Sequence, residues 1–225
     1  MEFLFDTINI PAIQKYGACF PYTGVTSNPS IIKAEGPIDF FAHFREIRRI
    51  IGTHRTLHIQ TLALDCSGIL AEADKIRSNV DEDVYIKVPA TVAGLEAMQA
   101  LKRQGTNVTA TAIYSKIQGF LAIAAGVDFI APYYNRMENQ DILSCDTIQA
   151  MADIINANNL PTKIVAASFK NIVQVNNAIA AGSHAVTVLP VLLSEAFRLP
   201  SITKAVADFS NDWDSIFGEA GILDL

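Results

Sequence analysis

Short runs of β-forming residues alternate along this chain with longer stretches in which apolar side chains recur every three or four positions. The short runs cover 2–6, 24–26, 57–62, 84–88, 107–112, 129–132, 163–167 and 185–189. Between them, Phe40, Phe41, Phe44, Ile47, Ile50 and Ile51 form one helical stripe, and Ile69, Leu70, Ala73, Ile76 and Arg77 a second. Leu95, Met98, Leu101 and Lys102 form a third, and Ile148, Met151, Ala152, Ile154 and Ile155 a fourth. Gly52, Gly105, Gly126 and Gly182 each follow an apolar helical stretch, where a C-cap needs positive φ. Alternating units of about 25 residues predict one α/β domain over 1–225, a closed parallel (β/α)8 TIM barrel. An open doubly wound sheet competes with it, but no Gly-rich phosphate fingerprint follows the first run. Residues 201–225 read as an added C-terminal helix. Its Phe209, Trp213 and Phe217 stripe is expected to pack on the barrel or on a neighbouring subunit.

Composition narrows the class. Half of the 225 residues are hydrophobic and only 18% are charged, which suits a sheet buried on both faces. With a formal charge of −6 and no basic run, neither nucleic acid nor an anionic membrane is an expected partner. A local arginine site can still take a phosphorylated small molecule. The three cysteines, Cys19, Cys66 and Cys145, show no C-x-x-C spacing and read as reduced thiols. Glu2 and Asp6 interrupt the N-terminal apolar residues, unlike a signal peptide. Asp128 breaks the most apolar stretch, 119–131, well short of a membrane span. A soluble, cytoplasmic protein is expected.

The chemistry centres on the run from Val84 through Lys87 to Pro89, Ala90 and Thr91. Side chains alternate along a strand, so Ile86 and Val88 face one way while Tyr85 and Lys87 face the other. A lone ammonium among β-formers is costly to desolvate, and its pKa should fall. A neutral lysine amine attacks carbonyls and forms Schiff bases. The bland alternative is a lysine that snorkels to water or pairs with a carboxylate. Barrel enzymes carry their chemistry at the C-terminal strand ends. The residues there are Asp6, Thr26 with Asn28, Gln60, Lys87, Thr109 with Thr111, Tyr133 with Arg136, and Ser168. Each has a dull explanation alone: Asn28 as a turn residue, Ser168 as a helix N-cap, Thr111 as a β-former. Together they converge on one barrel mouth around Lys87. Lys87 would form the iminium, with Asp6, Asn28 and Thr111 orienting hydroxyls. Tyr133 would serve as acid/base, its pKa drawn down beside a cationic iminium. Arg136 and Ser168 would hold a phosphate.

Four segments carry a family resemblance: Thr26-Ser27-Asn28-Pro29-Ser30, Ile86-Lys87-Val88-Pro89-Ala90-Thr91, Ala131-Pro132-Tyr133-Tyr134-Asn135-Arg136 and Ala166-Ala167-Ser168-Phe169-Lys170. They resemble, in order, the marker segments of the small transaldolase family, most closely its fructose-6-phosphate aldolase branch. The resemblance implies a class I enzyme with Lys87 as Schiff-base residue, acting on sugar phosphates without cofactor or metal. It implies Asp6, Gln60, Thr111 and Tyr133 as catalytic residues beside Lys87, and Asn28, Thr26, Arg136 and Ser168 as substrate-binding ones. It also implies a homo-oligomer, pentamer or decamer, with the terminal helix reaching across subunits. Gln60 and Tyr133 match the aldolase branch, where transaldolases carry glutamate and phenylalanine. Asn107-Val108-Thr109 is closer to the transaldolase form of the fifth strand. Transfer of a dihydroxyacetone unit between sugar phosphates is therefore the alternative activity. Two rivals fare worse. A metal-dependent aldolase would need ligands, and His43, His54, His58 and His184 form no ligand pair. A non-catalytic sugar-phosphate binder would need none of Lys87, Asp6 and Tyr133.

Overall fold

The computed structural model describes residues 1–225 as two compact units, Met1–Pro190 and Val191–Leu225. In the first, eight parallel strands close into a barrel in sequence order. They are β1 (Glu2–Asp6), β2 (Gly24–Thr26), β3 (Thr56–Gln60), β4 (Tyr85–Pro89), β5 (Val108–Ile113), β6 (Phe129–Pro132), β7 (Lys163–Ala166) and β8 (Ala185–Val188). The helices between them are α1 (Ile10–Gly17), α2 (Pro29–Glu35), α3 (Phe40–Ile51), α4 (Cys66–Asn79), α5 (Val92–Arg103), α6 (Lys116–Ala124), α7 (Tyr134–Glu138), α8 (Ser144–Ala157) and α9 (Ile172–Ala180). Two more, α10 (Pro190–Glu195) and α11 (Pro200–Phe217), follow β8. The chain is thus a (β/α)8 barrel with a C-terminal helix, as its periodicity predicts. No helix is long and apolar enough to cross a membrane.

Closure pairs β8 with β1, Ala185 through Val188 lying beside Glu2 through Phe5. Strands β2, β6 and β8 are buried at every position, as a sheet covered on both faces requires. Leu4, Phe129, Ala131, Val165 and Ala185 fill the lumen together with Tyr85. Two residues further along these strands, alternation brings Asp6, Lys87, Tyr133, Ala167 and Thr187 to the same inward face at the C-terminal mouth. The hydrophobic stripe of α3 buries Phe44, Ile47 and Ile51 against the barrel, and Gly52 ends the helix at φ 72°. Side-chain caps start the helices that follow the strand ends: Asn28 for α2, Thr91 for α5, Ser115 for α6 and Asn171 for α9.

Three details depart from the sequence pattern. The run 57–62 stops as a strand at Gln60, because Leu62 N and Ala63 N donate to Glu72 Oε2 at 2.6 and 3.0 Å instead of to a neighbouring strand. The β2 to β3 crossover carries two helices, α2 and α3, where one was expected. His58 lies fully buried in the lumen, stacked on Tyr85 at 4.7 Å, with its ring nitrogens 2.8 Å from Thr109 Oγ1 and 2.9 Å from Thr56 Oγ1. Burial pushes its pKa well below the ordinary histidine value, so the ring is neutral. In the second unit, α11 has no buried residue; it ends at Gly218 (φ 63°), and Trp213 Nε1 donates to Ala220 O at 2.7 Å.

Candidate active site

Lys87 projects from β4, with Gln60 and Thr109 as its register partners on the flanking strands. Its neighbours Ile86 and Val88 are fully buried on the opposite face, which fixes the strand and therefore the lysine. The side chain is 3% exposed, and Nζ donates to Ser27 O at 2.8 Å. Burial lowers its pKa to about 8, with the Asp6 carboxylate opposing that shift. A single carbonyl bond leaves two Nζ positions unused, so the amine can turn toward a ligand.

Asp6 faces Lys87 from the end of β1. Burial raises its pKa; the Lys87 charge, a hydrogen bond from Thr26 and the Arg136 charge each pull the other way. Thr26 Oγ1 donates to Asp6 Oδ1 at 2.8 Å and lies 2.5 Å from Thr187 Oγ1. Burial thus works against charge on both Asp6 and Lys87, and their mutual attraction offsets part of it. Asn28 spends its Oδ1 on capping α2, accepting from Ser30 N at 2.9 Å and Ile31 N at 3.1 Å. That orients the amide and leaves its N–H groups for the cavity.

The opposite wall comes from β5 and β6. Thr111 Oγ1 and Tyr133 Oη are 2.9 Å apart, both buried. Burial holds the Tyr133 phenol above its ordinary pKa; the Thr111 bond and the Arg136 charge lower it, and Asp6 raises it. The free site therefore keeps Tyr133 protonated, and the drop expected from the sequence requires the charge of an iminium beside it. Ser168 sits at the end of β7 with φ 66°, a left-handed conformation that costs a non-glycine residue roughly 1–2 kcal/mol. Backbone bonds from Tyr134 N to Ala167 O (2.9 Å) and Asn135 N to Ser168 O (3.1 Å) hold it there.

Asp6, Asn28, Lys87, Tyr133, Arg136 and Ser168 line one cavity of about 360 Å³. Thr26 and Thr111 lie behind it, hydrogen-bonded to Asp6 and Tyr133. Gln60 instead borders a neighbouring apolar cavity of about 370 Å³, with Pro29, Phe40, Phe41 and Leu62, and its Oε1 is buried without a protein partner. Thr187 and Lys170 also line the Lys87 cavity, though the sequence pattern marks neither as a site residue. Thr187 lies inside the run 185–189 and not at its end; its inward parity with Ala185 was the available signal. Lys170 follows β7 in a loop, where no periodicity applies. No three His, Cys, Asp or Glu side chains cluster in a way that could hold a metal ion.

A buried lysine amine of lowered pKa, a buried phenol with a hydroxyl partner, and two cations beside a serine suit covalent chemistry on a phosphorylated carbonyl compound. The family model described as Transaldolase/Fructose-6-phosphate aldolase matches residues 3–220. A Streptococcus pneumoniae protein named probable fructose-6-phosphate aldolase is 53% identical over 213 residues, covering 95% of this chain and 96% of its own.

Proposed function

The chain belongs to the transaldolase/fructose-6-phosphate aldolase family, and from that premise we propose that it cleaves fructose 6-phosphate to dihydroxyacetone and glyceraldehyde 3-phosphate through a Schiff base on Lys87. Neutral Lys87 attacks the C2 ketone, and the carbinolamine loses water to give an iminium. The cation draws down the pKa of Tyr133, whose phenolic proton leaves through Thr111 and water; the phenolate then takes the C4 hydroxyl proton as the C3–C4 bond breaks. The bonding pair enters the iminium as an enamine, and glyceraldehyde 3-phosphate leaves. Protonation at C3 and hydrolysis then release dihydroxyacetone and restore the amine.

Other residues orient these steps. Thr111, 2.9 Å from the phenol, holds the water or relays the proton. Asp6, set by Thr26, and the Asn28 amide bind the hydroxyls of the three-carbon donor. Arg136, Ser168 and Lys170 take the phosphate at the far end of the cavity. Gln60, as an amide, titrates at no working pH, so it moves no proton. The enzyme acts in the cytoplasm, consistent with three free cysteines, and as a homo-oligomer.

The observation that carries this function is the Lys87 amine in the cavity wall, buried and lowered to about 8, opposite the Tyr133 and Thr111 hydroxyls. Borohydride added with dihydroxyacetone should reduce a stable adduct onto the peptide containing Lys87, and Lys87→Met should abolish both adduct and turnover. A fully active Lys87→Met protein refutes the mechanism. The fifth strand, Asn107-Val108-Thr109, favours the second activity, transfer of dihydroxyacetone to erythrose 4-phosphate. Both activities share the enamine. Release of free dihydroxyacetone at least as fast as transfer identifies the aldolase.

A further inference from the structure

Tyr114 has no part in the chemistry above, yet it touches two groups that do. Its hydroxyl accepts a hydrogen bond from Arg136 Nη1 at 3.2 Å. Its ring meets Tyr133 edge-on, with centroids 5.7 Å apart and planes at 65°. The Arg136 guanidinium carbon lies 5.0 Å from the centroid of the Tyr133 ring. One guanidinium is therefore held between two phenols, tied by its edge to one and lying over the face of the other. Arg136 is otherwise exposed, and an untethered arginine there would have many rotamers to give up on binding an anion.

The backbone is distorted to put Tyr114 in this place. β5 slips register against β6 between Ala110 and Ile113, and Ala112 takes φ 55°, which disfavours any side chain. Gln118 then pins the turn: its Oε1 accepts from Tyr114 N at 3.0 Å, and its Nε2 donates to Ala90 O at 3.0 Å. A bulge held at a cost in strain re-aims the side chains that follow it.

We propose that Tyr114 is a positioning residue that parks Arg136 over the Tyr133 ring, so that one guanidinium serves both phosphate recognition and the acid/base step. This rests on the roles given above to Arg136 and Tyr133. Two consequences separate it from a merely structural contact. The tether fixes one edge of the guanidinium and leaves the remaining N–H groups aimed into the cavity for phosphate. The same fixed charge favours the phenolate of Tyr133, against the burial that disfavours it.

The test compares wild type, Tyr114→Phe, Arg136→Met and the double variant, on fructose 6-phosphate and on fructose. Tyr114→Phe keeps the ring and removes only the tether, so an unchanged melting temperature is the control for folding. It should raise KM for fructose 6-phosphate about two- to tenfold, the range for losing one hydrogen bond, and leave KM for fructose in place. With the cation less firmly held, the Tyr133 phenol should titrate higher, so the ascending limb of kcat for cleavage should move to higher pH with both substrates. In the Arg136→Met background, Tyr114→Phe should add nothing to either effect. Additive losses in the double variant, or a limb that stays in place, overturn the role of Tyr114. The underlying roles fail separately: Arg136→Met with an unchanged KM ratio between the two substrates, or Tyr133→Phe with full cleavage, would reject those assignments instead.

Discussion

At the scale of single residues, the proposed mechanism depends on keeping Lys87 uncharged often enough to react. With its pKa near 8, about one amine in ten is neutral at pH 7, against about one in three thousand for an ordinary lysine. The lowered value means that kcat/KM, which reports the free enzyme, should climb as pH rises through about 8 and flatten above it. Asp6 raises the Lys87 pKa by its charge, so Asp6→Asn should shift that limb to lower pH even while the maximal rate falls. A limb that stays put in Asp6→Asn, read from the pH dependence of borohydride trapping, would show that the carboxylate is not felt at Nζ. Tyr133 is coupled differently: burial keeps it protonated, and in the proposed mechanism only the iminium draws its pKa down. Tyr133→Phe should cut cleavage by the ~10²–10⁴ typical of a general acid/base while the Lys87 adduct still forms with dihydroxyacetone. Loss of the adduct together with turnover would place Tyr133 in Schiff-base formation instead.

At the scale of elements, the site stands on how closely α5 seats against the end of β4. Gly94 lies in the first turn of α5, and a Cβ there would fall 2.0 Å from the carbonyl oxygen of Pro89, two residues beyond Lys87. Alanine is the better helix former by about 1 kcal/mol, whereas forcing a methyl against backbone costs typically 1–3 kcal/mol. The clash should win. Gly94→Ala is expected to lower the melting temperature and impair turnover, and a variant more stable than wild type would show that α5 simply moves aside. This close approach explains what the sequence reveals and what it hides. The barrel is legible because each strand and each helical stripe announces itself locally, and glycines such as Gly52 mark helix ends through φ alone. The inward parity of Lys87, Asp6 and Tyr133 is legible for the same reason, since alternation is a local property. Gly94 against Pro89, the bulge at Ala112 and Tyr114 edge-on to Tyr133 depend on neighbouring elements, and nothing in the residues themselves fixes those distances. Gln60 shows the limit in reverse. Its parity places it beside Lys87 in register, but its side chain turns to the cavity under Phe40 and Phe41.

At the scale of the whole molecule, the second unit carries an apolar surface out of proportion to its size. Ile202, Val206, Phe209 and Ile216 are 41%, 59%, 70% and 74% exposed along α11, and with Trp213 they recur at spacings of four, three, four and three residues. That is the period of a helix seam that packs against another surface, with Lys204, Asp208, Asp212 and Asp214 on other faces. A stripe of this kind left in water favours association, and an exposed apolar patch of such length marks an interaction surface. We propose that the stripe is covered by a second copy of this chain, in keeping with the homo-oligomer proposed above. Removing residues 201–225 should then lower the particle mass measured by light scattering. Phe209→Glu with Ile216→Glu should do the same without shortening the chain, because two buried carboxylates would go unpaired in the interface. The double variant also separates assembly from folding, since both positions are exposed within the chain itself and its helix content should persist. If both proteins keep the full mass of the parent assembly, α11 is not what joins the copies, and the barrel's own surface must supply the contact.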